Sequence, residues 1–253
     1  MNSAIKFEAA KEKQNSMITN SAIHSGETPG VIIQESNGII MRGNVIADFA
    51  RHGLWAYDSS GLQIDNNWVF HVINEVGAEP IVQHYQGWLG GFTLSENVSN
   101  TIVTRNVVAG TWHHGFHFIP QECGVANPSF IFRGNVAHSI MGTGAIALNV
   151  ANDCTEVKDF TAYKTTQASI QLAGPSKINR GRNIVSIDTV FGPAVFPGKG
   201  TSELLDSYSI GELKANEDCP QGSFCDHCFS RTGMIPPQVS FLKGANKGDF
   251  IDR

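Results

Sequence analysis

With 253 residues, 41% of them hydrophobic and only 16% charged, the chain has the apolar content of a packed domain rather than the polar bias of a disordered one. Its formal charge of −5 gives no basic footprint for nucleic acid, and no apolar run approaches the roughly 20 residues that span a bilayer. Phosphate loop, dinucleotide fingerprint and nucleophile elbow are all absent, so neither a nucleic-acid partner, a direct membrane span nor a cofactor is expected.

Residues 1–15 read as a leader or cap. Ala4 to Lys13 is the one good helix-forming stretch, and it could cover the edge of whatever follows. Lys6, Glu8, Lys11, Glu12 and Lys13 leave no hydrophobic block of the secretory kind. The expectation is therefore an intracellular protein, or a piece of a longer secreted one.

From residue 16 a repeat takes over. Asn20-Ser-Ala-Ile-His, Asn44-Val-Ile-Ala-Asp, Asn67-Trp-Val-Phe-His, Asn106-Val-Val-Ala-Gly, Asn135-Val-Ala-His-Ser, Asp159-Phe-Thr-Ala-Tyr and Asn183-Ile-Val-Ser-Ile each run from a polar residue into an apolar stretch. Their starts lie 24, 23, 39, 29, 24 and 24 residues apart, a solenoid period with two insertions. Within a turn a Gly follows about nine residues later (Gly53, Gly115, Gly144, and Gly30 one residue further on). Each turn offers up to three short strands with period-two alternation, separated by Asn, Gly and Ser corners. Stacked coils pair each strand with its equivalent, so the predicted fold is all-β: a right-handed parallel β-helix over 16–200, about seven coils of about 24 residues. Asn at matching corners tolerates left-handed angles, and stacked amides can bond from coil to coil.

The two long intervals carry inserted corner loops. Glu75, Glu79, His84, Tyr85 and Trp88 in the first, and Glu122 and Cys123 in the second, could wall a flank groove. The densest chemical cluster is Trp112-His113-His114-Gly115-Phe116-His117; alternation points Phe116 and Phe118 one way and His117 the other. Imidazoles at a rim can act as acid or base near neutral pH, or bind metal. No catalytic residue is assigned; the candidates are His113, His114, His117, Glu75 and Glu122. Asp48, Asp58 and Asp65 fall in the second turn without forming a tight carboxylate pair, whereas Arg42, Arg105 and Arg133 each precede a repeat Asn. They could form a short basic column whose guanidinium forks match the carboxylates of an acidic glycan, or simply point into water.

Residues 201–253 form a Cys-containing extension. Cys219, Cys225, Cys228 and His227 resemble half of a zinc site, but a disulfide staple is the better reading in an oxidising compartment. Five cysteines in all leave at least one thiol unpaired within the chain.

The run Asn106 to Cys123, followed by Gly134-Asn-Val-Ala-His-Ser and Gly144-Ala-Ile-Ala-Leu, resembles the β-helix repeats of the fibrocystin and fibrocystin-like family. Asn67-Trp-Val-Phe-His and Ala22-Ile-His-Ser-Gly fit the same pattern over roughly 16–150. The resemblance implies an extracellular or cell-surface protein, associated with cilia in animals, whose β-helix is an interaction surface for other proteins of the assembly or for glycans. Relatives with the same repeats include hyaluronan-binding and hyaluronan-depolymerising cell-surface proteins. The leading expectation is thus a non-catalytic scaffold or adhesion module; the alternative is a glycan-binding or polysaccharide-cleaving protein with its site near the long insertions and His113/His114.

Overall fold

The structure is a computed structural model, and it describes residues 3–10, 16–73, 89–95, 97–124, 128–148, 153–196 and 200–210. Short parallel strands recur in sets of three and stack into three sheets. Sheet A holds eight: β1 (Ile5–Glu8), β4 (Val31–Gln34), β7 (His52–Tyr57), β10 (Gly90–Leu94), β13 (His114–Phe118), β17 (Ala145–Leu148), β19 (Ile170–Ala173) and β21 (Pro193–Val195). Sheet B runs β2 (Met17–Thr19), β5 (Ile40–Arg42), β8 (Gln63–Asp65), β11 (Thr101–Thr104) and β15 (Phe130–Arg133). Sheet C runs β3 (Ala22–Gly26), β6 (Val45–Ala50), β9 (Trp68–Ile73), β12 (Val107–Ala109), β16 (Asn135–Ile140), β18 (Cys154–Thr165), β20 (Ile178–Thr189) and β22 (Thr201–Leu205); β14 (Gln121–Glu122) pairs β18, and β23 (Tyr208–Ile210) pairs β20.

The β-helix predicted from the repeats is what forms, and its corners explain why. Asn20, Gly43, Asn66, Arg105 and Gly134, between sheets B and C, and Asp159, Asn183 and Asp206, at the equivalent bends within sheet C, all have φ between 50° and 67°. A single left-handed residue turns the chain sharply there, and Asn, Asp and Gly tolerate that conformation best. Ser25, Asp48, His71, Gly110, Ser139, Lys164 and Asp188 form a second such row at φ between 52° and 65°.

The residue after the first corner row points inward. Asn44, Asn67, Asn106 and Asn135 are buried and stacked: each amide Nδ2 donates to the next Oδ1 at 2.9, 3.0 and 3.1 Å. The same amides donate to the carbonyls of Ile18, Met41, Ile64 and Val103, while the backbone N–H one coil below donates to each Oδ1. Every amide hydrogen-bonding group in this dry column is thereby satisfied. At the next level the position passes to Phe160, the register partner of Asn135. Its ring packs against Phe132 and edge-on to Phe116, and the core continues as an aromatic stack with Phe92 and Phe118.

The repeat reading misplaces three starts by one residue. Asn20, Asp159 and Asn183 belong to the left-handed corner row; the positions equivalent to Asn44 are Ser21, Phe160 and Ile184. Asn serves two neighbouring positions for different reasons, and the sequence does not separate them. The helix-forming reading of Ala4 to Lys13 is corrected over its described part, residues 4–10. Ile5–Glu8 is a strand that pairs β4 in register, because Ile5 and Phe7 alternate toward the core and strand pairing outweighs local propensity. At the other end Thr201–Leu205 and Tyr208–Ile210 continue sheet C past residue 200.

The repeat glycines form a column of their own. A Cβ on Gly30, Gly53, Gly91, Gly115 or Gly144 would lie within 2.4 to 2.9 Å of the carbonyl oxygen one coil above. At Gly115 it would also meet the Ala137 Cβ at 2.9 Å. Backbone cannot yield as a flexible side chain would, so Gly115→Ala should cost about 3 kcal/mol, read as a lowered urea midpoint. Gly124→Ala is the contrast: nothing lies within 4 Å of its Cβ, and its cost is confined to the strain of a φ of 70°.

Candidate functional site

Three constellations of polar or exposed side chains arise from this frame. The first is on sheet A. Outward positions of a solenoid ordinarily meet water, yet in the register row Ile32, Trp55, Thr93, His117, Ile146 and Gln171 four residues are buried, and Trp55 and Gln171 are half-buried. His52 and His114 occupy one register column two rungs apart, with Gly90 between them. His52 Nδ1 and Thr93 Oγ1 are hydrogen-bonded at 2.9 Å, and the His52 ring stacks 5.2 Å from Trp55. Burial pushes His52 from 6.5 down to about 3, with like charge from Arg51, His117 and His113 adding to it. Burial likewise takes His114 to about 3, helped by His113 and His117, and His117 to about 4, and it lowers His113. The surroundings thus shift all four imidazoles toward the neutral form. Among the described residues no three His, Cys, Asp or Glu are placed to hold a metal ion.

Glu122, the other described candidate, is in β14, which pairs antiparallel with the start of β18 on sheet C. Cys123 and Cys154 are joined by a disulfide that clamps this inserted loop. Five cysteines without a spacing signature gave no hint of that pairing. Glu75, Glu79, His84, Tyr85 and Trp88 lie outside the described residues, as do Cys219, Cys225, His227 and Cys228.

The second constellation is on the outer face of sheet B. Register aligns Thr19, Arg42, Asp65, Thr104 and Arg133 in one row, while Arg105 occupies the adjoining corner. Arg105 donates through Nε to Asp65 Oδ1 at 2.9 Å and through Nη2 to Oδ2 at 2.6 Å. Thr104 Oγ1 donates to Oδ1 at 2.9 Å, and Arg42 Nε lies 3.5 Å from Oδ2. The Arg105 hydrogen bond holds the Asp65 carboxyl below the usual carboxylate range, against the opposing effect of burial. Arg42, Asp65, Asn66 and Arg105 line an open cleft of about 470 Å³. The basic column expected from sequence thus has a carboxylate at its centre. Asp48 and Asp58 are elsewhere, paired with His71 and Asn97 at other corners.

The third is the outer face of sheet C, which sequence reading passed over. The first apolar residue after each ladder Asn points out: Val45, Trp68, Val107 and Val136 share one register row, continued by Thr161, Val185 and Tyr208. Two residues on, a parallel row holds Phe70, Ala109, His138, Tyr163, Ile187 and Ile210. Trp68 is 54% exposed, Tyr208 69% and Ile210 51%; His138 and Tyr163 stack at 4.6 Å. The signal was present as apolar residues on both phases of the alternation.

The three stacked sheets define a right-handed parallel β-helix. A family model described as a right handed beta helix region matches residues 2–78, the first three coils. No curated protein matches the chain. No helix among the described residues is long and apolar enough to cross a membrane.

Proposed function

We propose that this chain is a non-catalytic scaffold or adhesion module of an extracellular or cell-surface assembly, and that the outer face of sheet C is the surface it presents to other proteins of that assembly. The observation that carries this reading is the double outward row of apolar side chains, with Val45, Trp68, Phe70, Tyr208 and Ile210 all exposed. A solenoid needs apolar residues only on its inward phase, and an exposed apolar patch on a rigid flat sheet suits association. The Cys123–Cys154 bond supports an oxidising compartment. The likeness to fibrocystin-like repeats supports a place in a larger membrane-associated or ciliary coat.

Beads coated with the protein should clump or attach to cells, and Trp68→Ser with Tyr208→Ser should abolish this while leaving the unfolding free energy within about 0.5 kcal/mol. New reducing ends from a panel of acidic and neutral polysaccharides would overturn the non-catalytic reading. Adhesion unaffected by the double substitution would overturn the assignment of the face.

A further inference from the structure

The Arg42–Asp65–Arg105 cleft has no part in adhesion by sheet C, and its geometry goes beyond what an ion pair needs. One buried carboxylate faces two guanidinium groups, so one positive charge is left over. Asp65 is only 11% exposed, whereas Arg42 and Arg105 are 57% and 71% exposed. Arg105 spends Nε and Nη2 on Asp65, and among the described residues nothing engages its other edge. Arg42 is turned toward the same carboxylate by Nε alone. Asp65 therefore acts as a buried clamp that fixes the Arg105 fork and draws Arg42 toward the same open floor, which reduces the ordering cost an incoming anion must meet. Asn66 adds a carboxamide to the rim. Arg133 extends the row: in register it is two strands beyond Asp65, so Arg42 to Arg133 covers three rungs, about 14 Å.

We propose that this cleft binds the carboxylate or sulfate groups of an acidic glycan lying along the sheet B flank. The forked donors match planar carboxylate and tetrahedral sulfate alike. A row of cations favours a chain with repeated acidic groups over a single small anion. Asp65 and Thr104 are positioning residues here; Arg42 and Arg105 contact the ligand. The proposal stands whether or not sheet C is adhesive.

The test is calorimetric titration of the whole chain with length-matched uronate-containing, sulfated and neutral oligosaccharides, and with an oligoglutamate of equal charge. At low salt one or both acidic sugars should bind and the neutral one should not, with affinity falling as salt rises. Arg105→Ala and Arg42→Ala should each weaken binding by about tenfold or more, and Arg105→Lys should rescue little because it keeps the charge and loses the fork. Arg42→Ala guards against misfolding, since Arg42 is exposed and only 3.5 Å from Asp65. Binding of the uronate sugar alone, or of the sulfated one alone, identifies the source of the anion. Equal affinity for oligoglutamate would overturn the glycan, and unchanged affinity in both arginine variants, or no binding of any acid, would overturn the site.

Discussion

Asn106→Ala should lower the unfolding free energy by about 4 kcal/mol, whereas Asn183→Ala should change it by less than about 0.5 kcal/mol. The two residues carry the same sequence signature, an Asn opening an apolar run, yet they meet different physics. Asn106 is buried, and its Oδ1 accepts from the Asn67 backbone N–H at 2.9 Å and from Asn67 Nδ2 at 3.0 Å. Its Nδ2 donates to the Ile64 carbonyl at 2.9 Å and to Asn135 Oδ1 at 3.1 Å. Truncation strands a backbone donor and a backbone acceptor that water cannot reach, at about 1–3 kcal/mol each, and breaks the ladder in the middle. Asn183 is an exposed corner whose Nδ2 donates to Asp159 at 2.7 Å, and an exposed polar contact is worth little. Its left-handed φ of 52° is a position Ala tolerates less well than Asn, which sets the small residual cost. Urea midpoints at constant slope would measure both. Equal losses at the two sites would mean that the interior amide column does not hold the coils together.

Why the architecture was readable and the flanks were not follows from range. A coil repeats its own backbone problem every turn, so Asn, Gly and alternating apolar residues recur locally and announce a stack. The Gly30 to Gly144 column is visible for the same reason, since each member answers the carbonyl of the next coil. Side-chain encounters across coils depend on register through the insertions. Asp65 and Arg105 meet because a 39-residue interval returns the chain one rung higher, and Cys123 reaches Cys154 only once β14 doubles back on β18. Neither distance is periodic, so neither leaves a local trace. The histidines differ: their phase was legible, with Phe116 in and His117 out, but not that Thr93, His117 and Ile146 of that outward row are buried.

That burial makes the protein sensitive to acid in a definite window. In the unfolded chain His52, His114 and His117 protonate near 6.5; in the folded chain they resist until about 3, 3 and 4. Between those limits the unfolded state binds protons that the native state refuses, so stability is intact above about pH 6.5 and falls as pH drops below it. Each imidazole removes up to about 1.4 kcal/mol per pH unit, so the three together would consume a typical domain's margin of about 5–15 kcal/mol within a few units. Unfolding should therefore set in between about pH 5 and 4, before the carboxylate contribution of Asp65 is lost, because that group titrates below the ordinary carboxylate range. His52→Asn keeps a polar atom near the place of Nδ1 for the Thr93 hydroxyl while removing one titrating ring and the like charge it shares with His113 and His117. It should move the acid midpoint downward and reduce the slope of unfolding free energy against pH by about one proton. Stability that stays level from pH 7 to 5 in the unaltered protein would show that these rings are hydrated in the native state, and with that the burial of His52 and His117 on sheet A would have to be abandoned.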